Sequence, residues 1–129
     1  MTALSAYSEL KVLDLLFKNT AYATPTAYIG LFTSDPTDSA SGTEASGSGY
    51  ARIRVDNKMS SATANADNSQ ITNSSAITFA AASGGAFGTI FDASSSGNLT
   101  AHGVLAASKV ISDGDTFQIN ASGLVITID

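Results

Sequence analysis

The sequence predicts a mainly β protein, an antiparallel β-sandwich or flattened barrel with one short N-terminal α-helix, and three observations carry that reading. Apolar residues recur at helical spacing only near the start of the chain. From residue 26 onward the period is that of strands. Clusters of Gly, Asn, Asp and Ser then separate segments of roughly six to ten residues, about the spacing of a sandwich or small barrel. At 129 residues the chain is long enough for one domain with its own core, and no second domain is needed. The whole of 1–129 is therefore read as one domain, with the helix in 1–19 and the β-sandwich in 26–129, the latter carrying a long loop at 33–49.

The helix comes first, over roughly residues 4–18. Leu10, Leu13 and Phe17 repeat at three- and four-residue spacing, Ala6 and Leu16 extend the stripe, and Ser8, Glu9, Lys11, Asp14 and Lys18 lie largely off it. Asn19 and Thr20 stop it, with Lys18 placed well against the negative end of the helix dipole. The stripe is expected to pack across the sheet or onto an adjoining subunit. Strands follow at 27–32, 50–55, 69–71, 76–80, 87–91, 102–111, 116–119 and 124–128. Asp113-Gly114 predicts a tight hairpin, because an Asp-Gly pair readily takes the positive φ angles such a turn requires. Residues 120–123 and 94–98 predict two further turns. The stretch 58–75, mostly Ser, Ala, Asn and Thr, predicts a partly extended excursion that orders on assembly. Phe79, Phe87, Phe91, Val104, Leu105, Phe117, Ile119, Val125 and Ile126 are the expected core.

Composition excludes several classes of function. A net charge of -5 with six scattered basic residues argues against a nucleic-acid partner, which needs clustered Lys and Arg. With no cysteine, neither a disulfide framework nor a thiolate metal site is available. Glu9, Lys11 and Asp14 interrupt the first apolar stretch before it reaches signal-peptide or membrane length, so a soluble protein made in the cytoplasm is expected, with no membrane partner. Only 13% of residues are charged, and Ser, Thr, Ala and Gly fill the surface. Such short side chains lose little rotamer entropy when packed against a neighbour, which suits a protein tiled against others.

The most informative segment is residues 28–55, where two apolar strands flank a Ser/Thr/Gly loop. The pattern Thr33-Ser34-Asp35-Pro36-Thr37-Asp38, then Glu44, then Gly49-Tyr50-Ala51-Arg52, resembles the opening of a family of small tailed-phage virion proteins, often labelled phage tail fibre proteins. Ile90-Phe91-Asp92-Ala93, Gly97-Asn98-Leu99 and Ser112-Asp113-Gly114-Asp115-Thr116-Phe117 resemble the remainder of that pattern, so the similarity covers nearly the whole chain. The resemblance implies a noncatalytic virion structural protein located in the particle. Its expected role is capsid decoration, a cement protein assembled as a homotrimer that bridges capsomers through contacts with the major capsid protein or other virion proteins. A shaft would need a sustained heptad or a structural repeat, and the sequence has neither. The alternative role is a tail-fibre or baseplate-associated structural protein. A carbohydrate-binding module is the third, and it would need an exposed aromatic platform from a chain with no tryptophan and four tyrosines.

The reactive side chains point the same way. Asp35, Asp38 and Glu44 are oxygen donors of the kind calcium takes, but Asp-Pro-Thr-Asp more readily builds a turn, with Pro36 fixing φ and the carboxylates bonding nearby amides, and the spacing does not match an EF-hand loop. No metal and no cofactor are predicted. His102, the only histidine, lies in an apolar strand with no nucleophile-elbow motif elsewhere, so it is read as a hydrogen-bonded or interfacial residue, and no catalytic residue is predicted. Tyr50 and Arg52 fall two apart on a strand, share a face, and would stack or pair with a carboxylate such as Asp38, forming a clamp within one subunit. Asp35, Pro36, Asp38, Glu44, Tyr50 and Arg52 together are the candidate partner-interface loop.

Overall fold

Ser5 decides where the helix starts. Its backbone is extended (φ −74°, ψ 160°) and its hydroxyl oxygen accepts a hydrogen bond from the Ser8 amide at 3.2 Å, the geometry of an N-cap. The computed structural model describes residues 3–47 and 49–128, apart from the side chains of residues 3, 65, 81–84 and 106–115. Strand β1 (Ala3–Leu4) precedes the cap and helix α1 (Ala6–Phe17) follows it, inside the span that periodicity predicts. The helix ends at Asn19, whose φ of 56° is left-handed. There the amides of Lys18 and Thr20 both donate to the Asp14 carbonyl at 3.1 Å.

The remaining elements are β2 (Tyr28–Phe32), β3 (Ile53–Arg54), a 3-10 turn (Asp56–Lys58), β4 (Thr63–Asn65), β5 (Asn68–Thr72), β6 (Ile77–Phe91), β7 (Leu99–Ile119) and β8 (Val125–Ile128). They form a mainly β, sandwich-like fold of two antiparallel sheets, ordered β1-β7-β6-β2-β3 and β4-β5-β8. Ile29 and Leu31 of β2, Ile77, Phe79 and Ile90 of β6 and Ala101 of β7 meet Val55 and Leu124 in the main core, with Ile126 of β8 packed against it. Each large aliphatic or aromatic side chain buried there stabilises the fold by about 1.5–3 kcal/mol. Phe32, Phe91 and Leu99 make a second, smaller cluster against which Ala40 and Phe87 pack. Loop residue Ala40 thus lies over the end of β2, and Ile29, Gly30, Leu31 and Phe32 are all buried, on both faces of the strand.

Several expectations are corrected. The segments 76–80 and 87–91 are one 15-residue strand, and 102–111 and 116–119 belong to one 21-residue strand. Asp113-Gly114 therefore makes no hairpin. Thr116 pairs with Ala80 and Ile111 with Ala82, so the dipeptide falls in a bulge where β7 carries extra residues opposite Ala81. The physical reason is that β6 continues alongside and offers a partner on both sides of the irregularity. The tight connection between β6 and β7 is instead the turn at 92–98, where Asp92 accepts from the Asn98 amide at 2.7 Å and from Asn98 Nδ2 at 2.9 Å. Of 50–55, only Ile53–Arg54 pairs as strand.

The stretch 58–75 contains the β4–β5 hairpin, and β5 joins β8 through Ser69↔Ile128 to Thr72↔Val125. Buried Asn73 anchors it: its amide nitrogen donates to the carbonyls of Ser75 and Asn120 at 2.9 Å, and its Oδ1 accepts from the Leu124 amide at 2.8 Å. Among the expected core residues Phe79 and Phe91 are buried, Phe87, Leu105, Phe117, Ile119, Val125 and Ile126 are half-buried, and Val104 is 73% exposed. No residue of α1 is buried, so the apolar stripe is not covered by the sheet of its own chain. Ser8, Lys11, Val12 and Leu15 of the helix line an apolar cleft together with Leu4 and Ile128.

Candidate functional site

The loop after β2 begins with the turn its sequence predicts. The Thr37 amide donates to Asp35 Oδ1 at 2.9 Å, Thr37 takes a left-handed φ of 51°, and Pro36 is fully buried beneath. The loop then returns beside β2. Thr33 donates to the Thr43 carbonyl at 2.9 Å and Ala45 to the Leu31 carbonyl at 2.8 Å, which sets the Glu44 carboxylate over Gly30. A side chain at Gly30 would put its Cβ 3.1 Å from the Tyr50 hydroxyl and 3.2 Å from Glu44 Oε1, so glycine is what lets these groups approach the strand.

Tyr50, Glu44 and Arg52 form one connected network. The Tyr50 hydroxyl accepts from the Leu31 amide at 2.9 Å and donates to Glu44 Oε1 at 2.9 Å. Arg52 grips the same carboxylate with two bonds of 2.8 Å, Nε to Oε1 and NH2 to Oε2. Its remaining terminal nitrogen, NH1, donates to the Ala93 and Ser96 carbonyls at 3.1 and 2.8 Å. The guanidinium carbon lies 3.7 Å from the centre of the Phe91 ring, and Phe91 stacks on Phe32 at 5.9 Å. Tyr50 in turn stacks on buried Phe79 at 6.2 Å.

The electrostatics follow from this packing. Burial pushes the Glu44 carboxyl upward, but the hydrogen bonds from Arg52 and Tyr50 and the charge of Arg52 outweigh it, and the group sits below the usual carboxylate range. Burial raises the Tyr50 hydroxyl well above its ordinary value, and the negative charge of Glu44 adds to the shift. Both groups thus hold the protonation state the network needs at neutral pH.

The predicted residues do not gather in one place. Glu44, Tyr50 and Arg52 converge as a clamp within the chain, but Asp38 is no part of it and bonds instead to His102 Nε2 at 2.9 Å. The carboxylate that pairs with Arg52 is therefore Glu44, where the sequence reading points to Asp38. The reason is register: the return of the loop along β2 brings residue 44, rather than residue 38, opposite the Tyr50-Arg52 pair. Asp35 and Asp38 remain on the exposed side of the loop. Sequence reasoning missed Gly30 and Asp92, which position the neighbours of the clamp, and Asn73, which ties the 58–75 stretch to residues 120 and 124. Only Asp92 carries a local signal, lying just ahead of the Ser-rich turn.

An open cleft of about 420 Å³ borders the clamp, lined by Tyr50, Arg52 and the serines at 94, 95 and 96 among others. Among the described residues no three His, Asp or Glu side chains are grouped as a metal site requires. No helix among them is long and apolar enough to cross a membrane. All four tyrosines are half-buried.

A comparison with curated proteins finds no match. A family described as Podophage GP4 fiber I protein gp80 matches residues 3–127, which takes in helix α1, both sheets, the clamp and the turn it grips. The chain belongs to this family of phage fibre-type virion proteins.

Proposed function

We propose that the chain is a noncatalytic structural component of the podophage tail, a fibre-type or baseplate-associated protein that works by packing against neighbouring virion proteins. The observation that carries this reading is the family match over 3–127, which favours the tail-fibre alternative over the head-cementing role expected from the chain's compactness. The geometry supports it. Arg52 commits four of its five N–H donors to groups of its own chain, and Glu44 and Tyr50 are held by the same network, so the charged groups that converge brace the loop rather than face a substrate. Asp35 and Asp38, on the outer side of that braced loop, are the parts of the candidate interface offered to a neighbour. Labelling intact virions with an antibody or a tag fused to this chain tests the reading. Label at the tail is expected, whereas label spread over the head with none on the tail would overturn it in favour of cementing through the major capsid protein.

A further inference from the structure

Helix α1 displays more apolar surface than its own chain uses. Leu10, Leu13, Leu16 and Phe17 are 64%, 54%, 66% and 81% exposed, although an isolated apolar face of this kind is costly in water. We propose that this face is a two-fold self-association surface, on which α1 of one copy packs antiparallel against α1 of a second copy. Three features select a second copy as the occupant.

The first is self-complementarity. Ala6, Leu10, Leu13 and Phe17 are spaced by four, three and four residues, the spacing by which like helices interlock. In the antiparallel arrangement Leu10 faces Leu13 of the partner helix and small Ala6 faces bulky Phe17, so large and small side chains alternate across the contact. The second is area. At roughly 150–250 Å² for a fully exposed large side chain, these residues supply on the order of 500 Å² of apolar surface. That is the greater part of the approximately 800 Å² per partner that a stable interface buries. The third is charge. A parallel pairing would set Glu9 against Asp14 across the seam, whereas the antiparallel one sets them opposite Leu16 and Tyr7 and also opposes the helix dipoles favourably.

This pairing yields a dimer where the resemblance leads one to expect a trimer, and it is independent of where on the particle the chain sits. The absence of cysteine makes it directly testable. A copy carrying Ala6→Cys and a copy carrying Phe17→Cys, mixed and oxidised, are expected to form a disulfide-linked pair, while each variant alone gives none. Sedimentation velocity of the unmodified chain should show a dimer, and Leu13→Glu, with circular dichroism unchanged because the site is exposed, should weaken it by at least about 100-fold. Three results would each overturn the inference: a monomer at ~100 μM, a dimer indifferent to Leu13→Glu, or disulfides that form within each single variant and not in the mixture. None of them bears on the tail assignment, which the virion labelling decides.

Discussion

Replacing Arg52 by Ala removes the residue on which the loop clamp converges. The substitution deletes both bonds to Glu44, both bonds to the β6–β7 turn and the cation over Phe91. Taking away one member of a buried ion pair costs roughly 3–5 kcal/mol, because the other charge is left without compensation. The Arg52 side chain is 6% exposed but that of Glu44 is 30% exposed, so water recovers part of the loss and the expected cost is about 2–4 kcal/mol. Against a total stability on the order of 5–15 kcal/mol this is a large fraction. Urea unfolding followed by circular dichroism measures it, with the midpoint falling and the slope unchanged. The double variant Arg52→Met with Glu44→Leu removes both charges, and it is expected to be more stable than Arg52→Ala by at least about 1 kcal/mol. A loss under about 1 kcal/mol for Arg52→Ala, or a double variant whose loss is the plain sum of those of Arg52→Met and Glu44→Leu made singly, would show that the pair does not brace the loop.

Four other outcomes follow from the same structure. Glu44 has a folded pKa depressed below its unfolded value, so its contribution is present above about pH 4.3 and is lost as pH falls through the folded value; on acidification the urea midpoint should drop more for the unmodified chain than for Glu44→Gln, and parallel curves would refute the linkage. Asn73→Ala strips the partners from the Leu124 amide and the Asn120 and Ser75 carbonyls and is expected to cost about 2–4 kcal/mol in the same assay, with a loss under 1 kcal/mol contradicting the assignment. Phe79→Ala should cost about 3–5 kcal/mol and Phe117→Ala clearly less, since the first is fully buried and the second half-buried, and the reverse order would place the core elsewhere. Tyr50→Phe leaves the Leu31 amide without its acceptor and should cost about 1–3 kcal/mol, whereas Tyr28→Phe, its half-buried counterpart on β2, should be near neutral.

What the sequence makes legible here is what short range decides. The helix is readable because its cap, its stripe and its stop all lie within fifteen or so residues of one another, and strand β2 because four consecutive apolar or small residues between turn signals leave no other state. The Asp35-Pro36-Thr37 turn is readable for the same reason, since the side chain and amide that define it are two residues apart. What the sequence hides is set by partners far along the chain. Asp113-Gly114 has the chemistry of a hairpin, yet β6 continues beside it and the backbone bulges instead of reversing. Glu44 and Asp38 are equivalent acids on paper, and only the pairing of residues 43–45 with β2 assigns one to Arg52 and the other to His102. Asn73, in a stretch of polar residues with no pattern, is buried because three separated backbone groups need it. The spacing of the α1 stripe was visible; that its own sheet leaves it open was not, because coverage depends on where the body lies.

Ser5 joins two parts of the molecule with very different holding strength. Its amide and hydroxyl are tied to the carbonyls of Thr100 and Leu99 while its oxygen also starts the helix. Beyond it, β1 adds two paired positions among the described residues, whereas β6 and β7 share a ladder along most of their length. The leading strand is thus held by few backbone bonds, and its amides are expected to exchange with solvent well before those of the β6–β7 ladder.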